Sequence, residues 1–462
     1  MPTALQQLET IIIVIMENRS FDHVLGYLSR PGGRTDIDGI KDDAWRAAHE
    51  NPGRKDSYPP HPFRRMEIPD PPHERNTIAM QIRPAPGSNV GMRGFVQSYA
   101  RRRPPPDDES LVMGFYEAGD VPMADFLARE FLVCDRWFCS LPTGTQPNRL
   151  MAMSGVAARD VNAPFMLTPQ DLVYDWLNRQ GISWRVYHDG VLPFFALMKK
   201  WQGEIAEGLA VDLLGIHTRF RRFEHFERDF VRDPTLPSVI FIEPEYTDGP
   251  HREANDDHPP TSIAAGQAFL YSVYRTLLRR PDLWAKTLMV ITYDEHGGFF
   301  DHEPPHALTT DPPPGSTYEP FQTTGVRVPT FLVSPFVKRG KVLSEPLDHT
   351  SLLGLLADVF TPGTPYSDAV ARRTPLCDLG TWLKTRDDLI LREARRDLPS
   401  PPSAARVVPP SVPAPATGGN VRAEGAAENA RAFREAAVST VNDHPIAAAE
   451  LLPDIAHFIE AP

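Results

Sequence analysis

The 462-residue chain is 41% apolar, enough to bury a large core as one big α/β domain with additions. Its formal net charge of −12 leaves no general basic field, which argues against broad capture of nucleic acid or of an anionic membrane, so any phosphate must be met by local groups. Three cysteines (Cys134, Cys139 and Cys377) are too few for a disulfide framework and form no CxxC zinc motif, although one disulfide stays open for an exported protein.

The first predicted element is a strand over residues 8–16, because its continuous β-branched run is typical of a strand buried on both faces of a mainly parallel sheet. It ends in Glu17-Asn18. A second such strand, 287–293, ends in Asp294-Glu295. Hard divalent cations prefer oxygen ligands of this kind, so the two pairs are candidate metal ligands. Each pair taken alone is equally well explained as polar residues at a helix N-terminus.

Residues 29–110 are dense in Pro, Arg, Asp and Gly with little periodicity, which predicts a loop-rich insertion that serves as a functional loop or lid. Residues 303–320 form a shorter loop of the same kind. Further helices are predicted near 120–130, 149–154, 170–179, 266–278 and 350–360, and further strands at 183–187, 238–242 and 328–334. This alternation predicts α/β layers with ligands bound beyond the carboxyl ends of the strands.

A turn followed by a helix start is predicted over residues 140–154, with Thr145 near the helix N-terminus. The free amides and partial positive charge at such a terminus favour an adjacent phosphate and an ionised hydroxyl, so Thr145 is a candidate nucleophile. An ordinary helix cap is the alternative interpretation. Asn148 lies one turn along and is a candidate contact for the same phosphate.

Several histidines fall in the predicted loops. His258 ends an acidic stretch and His296 directly follows Asp294-Glu295, so either could protonate a leaving oxygen or bind phosphate. His302 belongs to the same group of loop histidines and is a further candidate for substrate binding.

The composition changes at about residue 399. We expect a catalytic domain over 1–398, a Pro- and Ala-rich linker over 399–423 and a C-terminal helical segment over 424–462. Within that segment, Ala-rich helices are predicted at about 424–438 and 443–459. They either cap the main domain or mediate self-association, and the sequence leaves this choice and the oligomeric state open.

Apolar runs in the chain fall short of the roughly 20 residues that span a bilayer. No basic stretch precedes the apolar run that begins at Ile11, so no signal peptide is visible. The expectation is a cytoplasmic protein, or a secreted one whose signal has been removed.

Short stretches across residues 8–360 together carry a resemblance to a known family. The stretches are Met16–Gly26, Asp70–His73, Met92–Val96, Thr145–Arg149, Asp256–Pro259, Tyr293–Gly298, Arg327–Pro329 and Asp348–Ser351. In their order and spacing the sequence resembles the phosphoesterase family that includes bacterial and plant non-specific phospholipases C and an acid phosphatase branch.

The resemblance implies a three-layer, alkaline-phosphatase-like α/β core with a mostly parallel sheet, a hydroxyl nucleophile and a metal ion. Position by position, it implies Thr145 as nucleophile, His258 and His73 at the phosphate or leaving group, and Glu17, Asn18, Asp294 and Glu295 as metal ligands. Threonine at the nucleophile position is the form of the phospholipase branch, whereas the acid phosphatase branch has serine.

The expected activity is therefore metal-dependent cleavage of phospholipid head groups through a phosphothreonine intermediate, with Ca, Mg, Mn, Zn or Fe as the metal. A phosphatase acting on monoesters and a non-catalytic binding protein are the alternatives. A phospholipid substrate implies transient contact with a membrane surface. Residues 191–198 are either a lipid-facing stretch or part of the core.

Overall fold

The computed structural model describes residues 3–62, 65–84, 91–212, 218–247, 253–374, 376–407 and 424–443. The strands within these residues are β1 (Thr10–Met16), β2 (Asn51–Pro52), β3 (Ser57–Tyr58), β4 (His61–Pro62), β5 (Gly114–Phe115), β6 (Leu132–Cys134), β7 (Trp137–Phe138), β8 (Trp184–His188), β9 (Phe220–Arg222), β10 (Val239–Glu243), β11 (Thr287–Tyr293), β12 (Ala307–Thr310), β13 (Phe321–Thr323), β14 (Phe331–Val333), β15 (Lys341–Leu343) and β16 (Leu347–Asp348).

The α-helices of the same residues follow the chain in the order α1 (Phe21–Leu25), α2 (Asp43–Ala48), α3 (Arg75–Gln81), α4 (Phe95–Tyr99), α5 (Pro122–Glu130), α6 (Thr145–Ser154), α7 (Val173–Gln180), α8 (Lys199–Asp212), α9 (Phe226–Arg232), α10 (Ile263–Leu277), α11 (Pro281–Trp284), α12 (Thr350–Phe360), α13 (Asp368–Ala371), α14 (Leu379–Thr385), α15 (Ala404–Val407) and α16 (Glu424–Asp443). A 3-10 helix at Phe194–Leu197 matters for the site described below.

One eight-stranded sheet organises these elements, in the order β15-β6-β14-β11-β1-β10-β8-β9. The pairs around β1, with β10 and β11, are parallel, and so are β10 with β8, β8 with β9 and β15 with β6. The pairs of β14 with β11 and with β6 are antiparallel. The predicted α/β class with a mostly parallel sheet is therefore confirmed.

Strand β1 shows why helices must cover both faces of this sheet. All seven of its residues are buried, and successive side chains of a strand point to opposite faces. Two groups of packed helices provide this cover: α5, α9 and α15 pack around α10, and α6, α13 and α14 pack around α12. The result is the three-layer arrangement that the sequence predicted.

The predicted strands at 8–16, 183–187, 238–242 and 287–293 correspond to β1, β8, β10 and β11 within two residues at each end. The segment 328–334 shortens to β14, since Pro329 has no amide hydrogen to donate to a ladder. The sequence analysis missed β6, β9 and β15, each three residues long and too short to show a pattern. Residues 29–110 carry helices α2, α3 and α4 among loops.

The C-terminal prediction is met in part by helix α16, which runs from Glu424 to Asp443. The predicted helix 443–459 lies outside the described residues, as does 408–423 of the predicted linker. Among the described residues, no helix is both long enough and apolar enough to cross a membrane.

Candidate active site

The two polar pairs that follow β1 and β11 meet at one edge of the sheet. Met16 is opposite Tyr293 in the parallel ladder, so the residues after each leave the sheet side by side. Asn18 has φ 58°, a left-handed conformation that asparagine tolerates, and its backbone N–H donates to Asp294 Oδ1 at 3.1 Å. Glu17, Asn18, Asp294 and Glu295 are at most 2% exposed. The sequence analysis predicted this meeting of two distant pairs.

Oxygens of these residues are buried without hydrogen-bond partners. They are Asn18 Oδ1, Asp294 Oδ2 and Glu295 Oε1. Buried polar atoms are nearly always paired, so three orphaned oxygens on adjacent residues need an explanation. A donor set of carboxylate and amide oxygens is the one that hard divalent cations bind. The residues present therefore fit the implied metal.

The charge balance of this cluster is unfavourable on its own. Burial, followed by the neighbouring Asp294 carboxylate, raises the pKa of Glu17 well above its usual range. Burial likewise raises the pKa of Glu295. Arg149 supplies one positive charge, with one guanidinium nitrogen 3.1 Å from Glu17 Oε1 and Nε 3.6 Å from Asp294 Oδ2. One arginine does not neutralise three carboxylates, so a bound cation would improve the charge balance of the cluster.

Thr145 lies one helical turn before Arg149. Helix α6 begins at Thr145, and residues four apart share one face of a helix, so Thr145 and Arg149 lie on the same face one turn apart. From that face the Arg149 side chain reaches Glu17 and Asp294. Thr145 is 1% exposed and sits at the helix N-terminus, where amides and the helix dipole stabilise negative charge.

The side chain of Asn148 holds the turn that leads into α6. Its Oδ1 accepts from the backbone N–H of Leu141 at 2.9 Å, and its Nδ2 donates to the carbonyls of Thr143 at 2.8 Å and Gly144 at 3.1 Å. The predicted contact between Asn148 and phosphate would break one of these bonds. In this structure the amide positions the turn before Thr145 instead.

His73 and His258 lie together beside the oxygen cluster. Their rings are 5.6 Å apart, edge to face, and His73 Nε2 is 3.3 Å from Asn18 Nδ2. Ligand atoms of Asp70, His73 and His258 lie within 4.8 Å of one another, a spacing that suits a metal. Although burial lowers the pKa of His73, the carboxylates led by Glu295 outweigh this and raise it to about 9.

The carboxylates of Glu17, Asp294 and Glu295 do not form such a group: among the described residues, their oxygens are not all within 4.8 Å of one another. Arg149 lies between two of these residues and pairs with both Glu17 and Asp294. Mutual repulsion between the carboxylates favours their separation.

The other two predicted substrate contacts lie further out. His296 Nε2 is 2.9 Å from Gln81 Oε1 and its Nδ1 is 3.3 Å from Glu295 Oε2, and burial lowers its pKa to about 3. His296 is thus a neutral support behind Glu295. His302 pairs through Nδ1 with Asp22 at 2.7 Å and through Nε2 with Asp38 at 3.3 Å. With both ring nitrogens taken by carboxylates, its placement does not support substrate binding.

The roles of four residues of the site escaped the sequence analysis. Asp70 and Arg149 stood inside recognised stretches, but their roles depend on distances that spacing does not give. His349, the residue before α12, supports the site with Nε2 2.7 Å from the Asp294 carbonyl. Asn429 of α16 accepts from Gln146 Nε2 at 3.1 Å, a contact across the predicted linker that no local pattern signals.

Comparison with known proteins gives an independent view of the chain. The model of the "Phosphoesterase family" matches residues 8–361. Non-specific phospholipase C1 of Arabidopsis thaliana is 33% identical over 384 residues, which are 76% of this chain and 67% of that protein. Phospholipase C A of Mycobacterium tuberculosis (strain ATCC 25618 / H37Rv) is 30% identical over 417 residues, 80% of this chain and 76% of that protein.

Similarity to solved structures is more distant. The phosphonate monoester hydrolase of Agrobacterium radiobacter matches with a TM-score of 0.30 and 13% identity, over 52% of this chain and 69% of that one. A protein in the alkaline phosphatase superfamily from Vibrio parahaemolyticus matches with a TM-score of 0.30 and 14% identity, over 52% of this chain and 60% of that one.

Proposed function

This chain belongs to the Phosphoesterase family and is a phosphoric ester hydrolase, and from that premise we propose that it is a phospholipase C with Thr145 as nucleophile. The observation that carries the proposal is the position of Thr145 at the start of α6, one turn before Arg149, which pairs with Glu17 and Asp294. The relatives named phospholipase C support a phospholipid substrate.

The proposed reaction proceeds in two displacements. The ionised Thr145 oxygen attacks phosphorus, the bond from phosphorus to the diacylglycerol oxygen breaks, and His258 protonates the departing oxygen. The resulting phosphothreonine still carries the head group. Water then attacks phosphorus, and Thr145 regains a proton as the phosphorylated head group leaves.

The residues around Thr145 support these steps by charge. The N-terminus of α6 places the positive end of the helix dipole near the phosphoryl oxygens, although its Gln146 amide is already bonded to Asn162 at 2.8 Å and Pro147 has no amide hydrogen. His73, beside His258, offers a further ring nitrogen to the phosphoryl group. His258 is held in place by its Nδ1, 2.6 Å from the Pro259 carbonyl.

Glu17, Asn18, Asp294 and Glu295 would hold the divalent cation. When bound, the cation lowers the pKa of a coordinated hydroxyl and offsets negative charge on the phosphoryl group. The oxygen donors favour Ca, Mg or Mn, and Asp and Glu also bind Zn or Fe. The orphaned oxygens of the cluster support this assignment.

The test compares wild type, Thr145→Ala and Thr145→Ser on phosphatidylcholine, p-nitrophenyl phosphorylcholine and p-nitrophenyl phosphate. We expect wild type to cleave the two diesters, Thr145→Ala to lose about 10³-fold or more in kcat with an unchanged Tm, and Thr145→Ser to keep measurable turnover. Mass spectrometry of wild type quenched during turnover should find the phosphorylated head group on Thr145.

Near-normal turnover by Thr145→Ala would overturn the nucleophile assignment. A wild type that cleaves only p-nitrophenyl phosphate would identify a phosphomonoesterase. Background rates on all three esters, with metal supplied, would identify a non-catalytic protein on the same scaffold.

A further inference from the structure

Helix α16 lies over the candidate active site. The cavity beside Glu17 and His258 is closed on one side by Tyr246 and on the other by Asn429, Ala430 and Phe433 of α16. Its volume is about 10 Å³, at the lower limit of the roughly 10–15 Å³ that one water molecule requires. This space is too small for a phosphate group while α16 stays in place.

The helix is held by one apolar stripe and a few polar contacts. Residues of the stripe recur at helical spacing and are buried: Ala432, Phe433, Ala436, Ala437 and Thr440. Gln146, next to the proposed nucleophile, donates to Asn429 Oδ1 at 3.1 Å. At the other end, Lys199 and Asp443 form an exposed ion pair at 3.2 Å, which contributes little. Phe433 is therefore the main attachment of α16 near the site.

Phe433 covers an apolar surface that adjoins the catalytic residues. Its ring centroid is 5.7 Å from that of Tyr246, in a stacked arrangement, and 5.7 Å from that of Phe194. A second small cavity beside this contact is lined by Val191, Leu192 and Tyr246. The stretch 191–198, which the sequence left as lipid-facing or core, is thus buried partly because α16 covers it.

We propose that α16 controls which esters reach Thr145, and that the surface of Phe194 and Tyr246 beneath Phe433 binds the apolar leaving group of the substrate. The proposal rests on the proposed hydrolysis at Thr145 and deepens it. A diacylglycerol group displaces Phe433 and binds the apolar surface that Phe433 had covered. A small polar ester has no acyl chains to bind this surface and does not displace the ring.

The experiment weakens the attachment of α16 in the 462-residue protein. Phe433→Ala removes the covering ring, Asn429→Ala removes only the bond to Gln146, and Val438→Ala is the matched control, since Val438 lies on the same helix and is 39% exposed. The measurements are kcat/KM on p-nitrophenyl phosphorylcholine and on micellar phosphatidylcholine, and calorimetric binding of inorganic phosphate, which needs no turnover.

When a helix covers the site, only the fraction of molecules with an open site binds ligand, and the apparent affinity for phosphate is reduced by that fraction. Weakening the attachment of α16 should therefore raise the apparent affinity for phosphate. We expect Phe433→Ala to raise kcat/KM on p-nitrophenyl phosphorylcholine and to tighten phosphate binding, each about tenfold. Asn429→Ala should give about threefold. The ratio of phosphatidylcholine to p-nitrophenyl phosphorylcholine activity should fall in Phe433→Ala, because the small ester no longer depends on displacing the ring. Val438→Ala should match wild type.

Equal phosphate affinity and equal kcat/KM in wild type and both variants would overturn this inference and leave the proposed function standing. Tighter phosphate binding in Phe433→Ala without hydrolysis of any ester by any of the proteins would support the cover and overturn the proposed function. If Phe433→Ala does not fold, Asn429→Ala alone decides: unchanged phosphate affinity in that variant overturns the cover.

Discussion

Replacing Arg149 by methionine tests the charge balance on which the candidate site depends. Arg149 is 3% exposed, and it pairs with Glu17 at 3.1 Å and Asp294 at 3.6 Å. Its guanidinium carbon lies 5.2 Å from the ring centroids of Phe194 and Tyr246. Methionine fills a similar volume against these rings, so the main change is the loss of one buried positive charge.

Removing one partner of a buried ion pair costs about 3–5 kcal/mol, because the remaining charge stays buried without compensation. Over 462 residues, an unfolding entropy of about 2.1 cal/mol/K per residue gives about 1 kcal/mol/K. The expected fall in Tm of the metal-free Arg149→Met protein at pH 7 is therefore roughly 3–5 °C.

Calorimetry or circular dichroism measures this Tm in chelator and again with added Mg²⁺, Ca²⁺ or Mn²⁺. Because a cation at the same carboxylates replaces the missing charge, added metal should raise the Tm of Arg149→Met more than that of wild type. Arg179→Met is the control, since Arg179 forms an exposed pair with Asp171 and should shift Tm by less than about 1 °C. An Arg149→Met protein with wild-type Tm in chelator, or without a larger metal response, would refute the reasoning.

Two further predictions concern the surroundings of the site. An added Cβ at Gly297, which has φ 64°, would lie 2.1 Å from the Asn18 carbonyl oxygen. Gly297→Ala should therefore weaken metal-dependent stabilisation and lower kcat/KM about tenfold or more. Gly315→Ala, at φ 91° with open space around it, is the control, and equal activity in both variants would contradict the prediction. Burial lowers the pKa of His302, but the Asp22 carboxylate leads the groups that outweigh burial and raise that pKa to about 10. His302→Gln should therefore lower the free energy of unfolding by about 2–3 kcal/mol at pH 6, and this loss should shrink as pH rises from 6.5 to 10. Equal losses at pH 6 and pH 10 in urea unfolding would contradict the prediction.

The centre of the fold was predictable because its strands are long and buried. β1 and β11 are seven-residue strands that are buried throughout and rich in apolar residues, and each is followed by a polar pair, so the sequence alone identified both pairs as candidates at the carboxyl ends of buried strands. The three-residue strands β6, β9 and β15 carry too few residues for a periodic signal, and they are fixed only by pairing with neighbours.

The candidate site was predictable in its residue types and less so in its contacts. Thr145 follows from a turn before a helix. Asn148 has the right residue type one turn on, but its amide is used by the preceding turn, which depends on loop geometry. His302 has the right chemistry, yet its neighbours Asp22 and Asp38 come from a distant part of the chain. The position of α16 depends on a linker whose path local patterns do not determine.

The central place of β1 has a consequence for synthesis of the protein on the ribosome. Asn18 and its partner Asp294 are 276 residues apart, and at about 5–20 residues per second the first waits roughly 15–55 s for the second to be made. For most of that time the run Thr10–Met16, buried throughout in the finished fold, has neither neighbouring strand in place, because β10 is complete only at Glu243 and β11 at Tyr293. The nascent chain therefore exposes an aggregation-prone segment early and depends on chaperones or on slow, late assembly of its sheet.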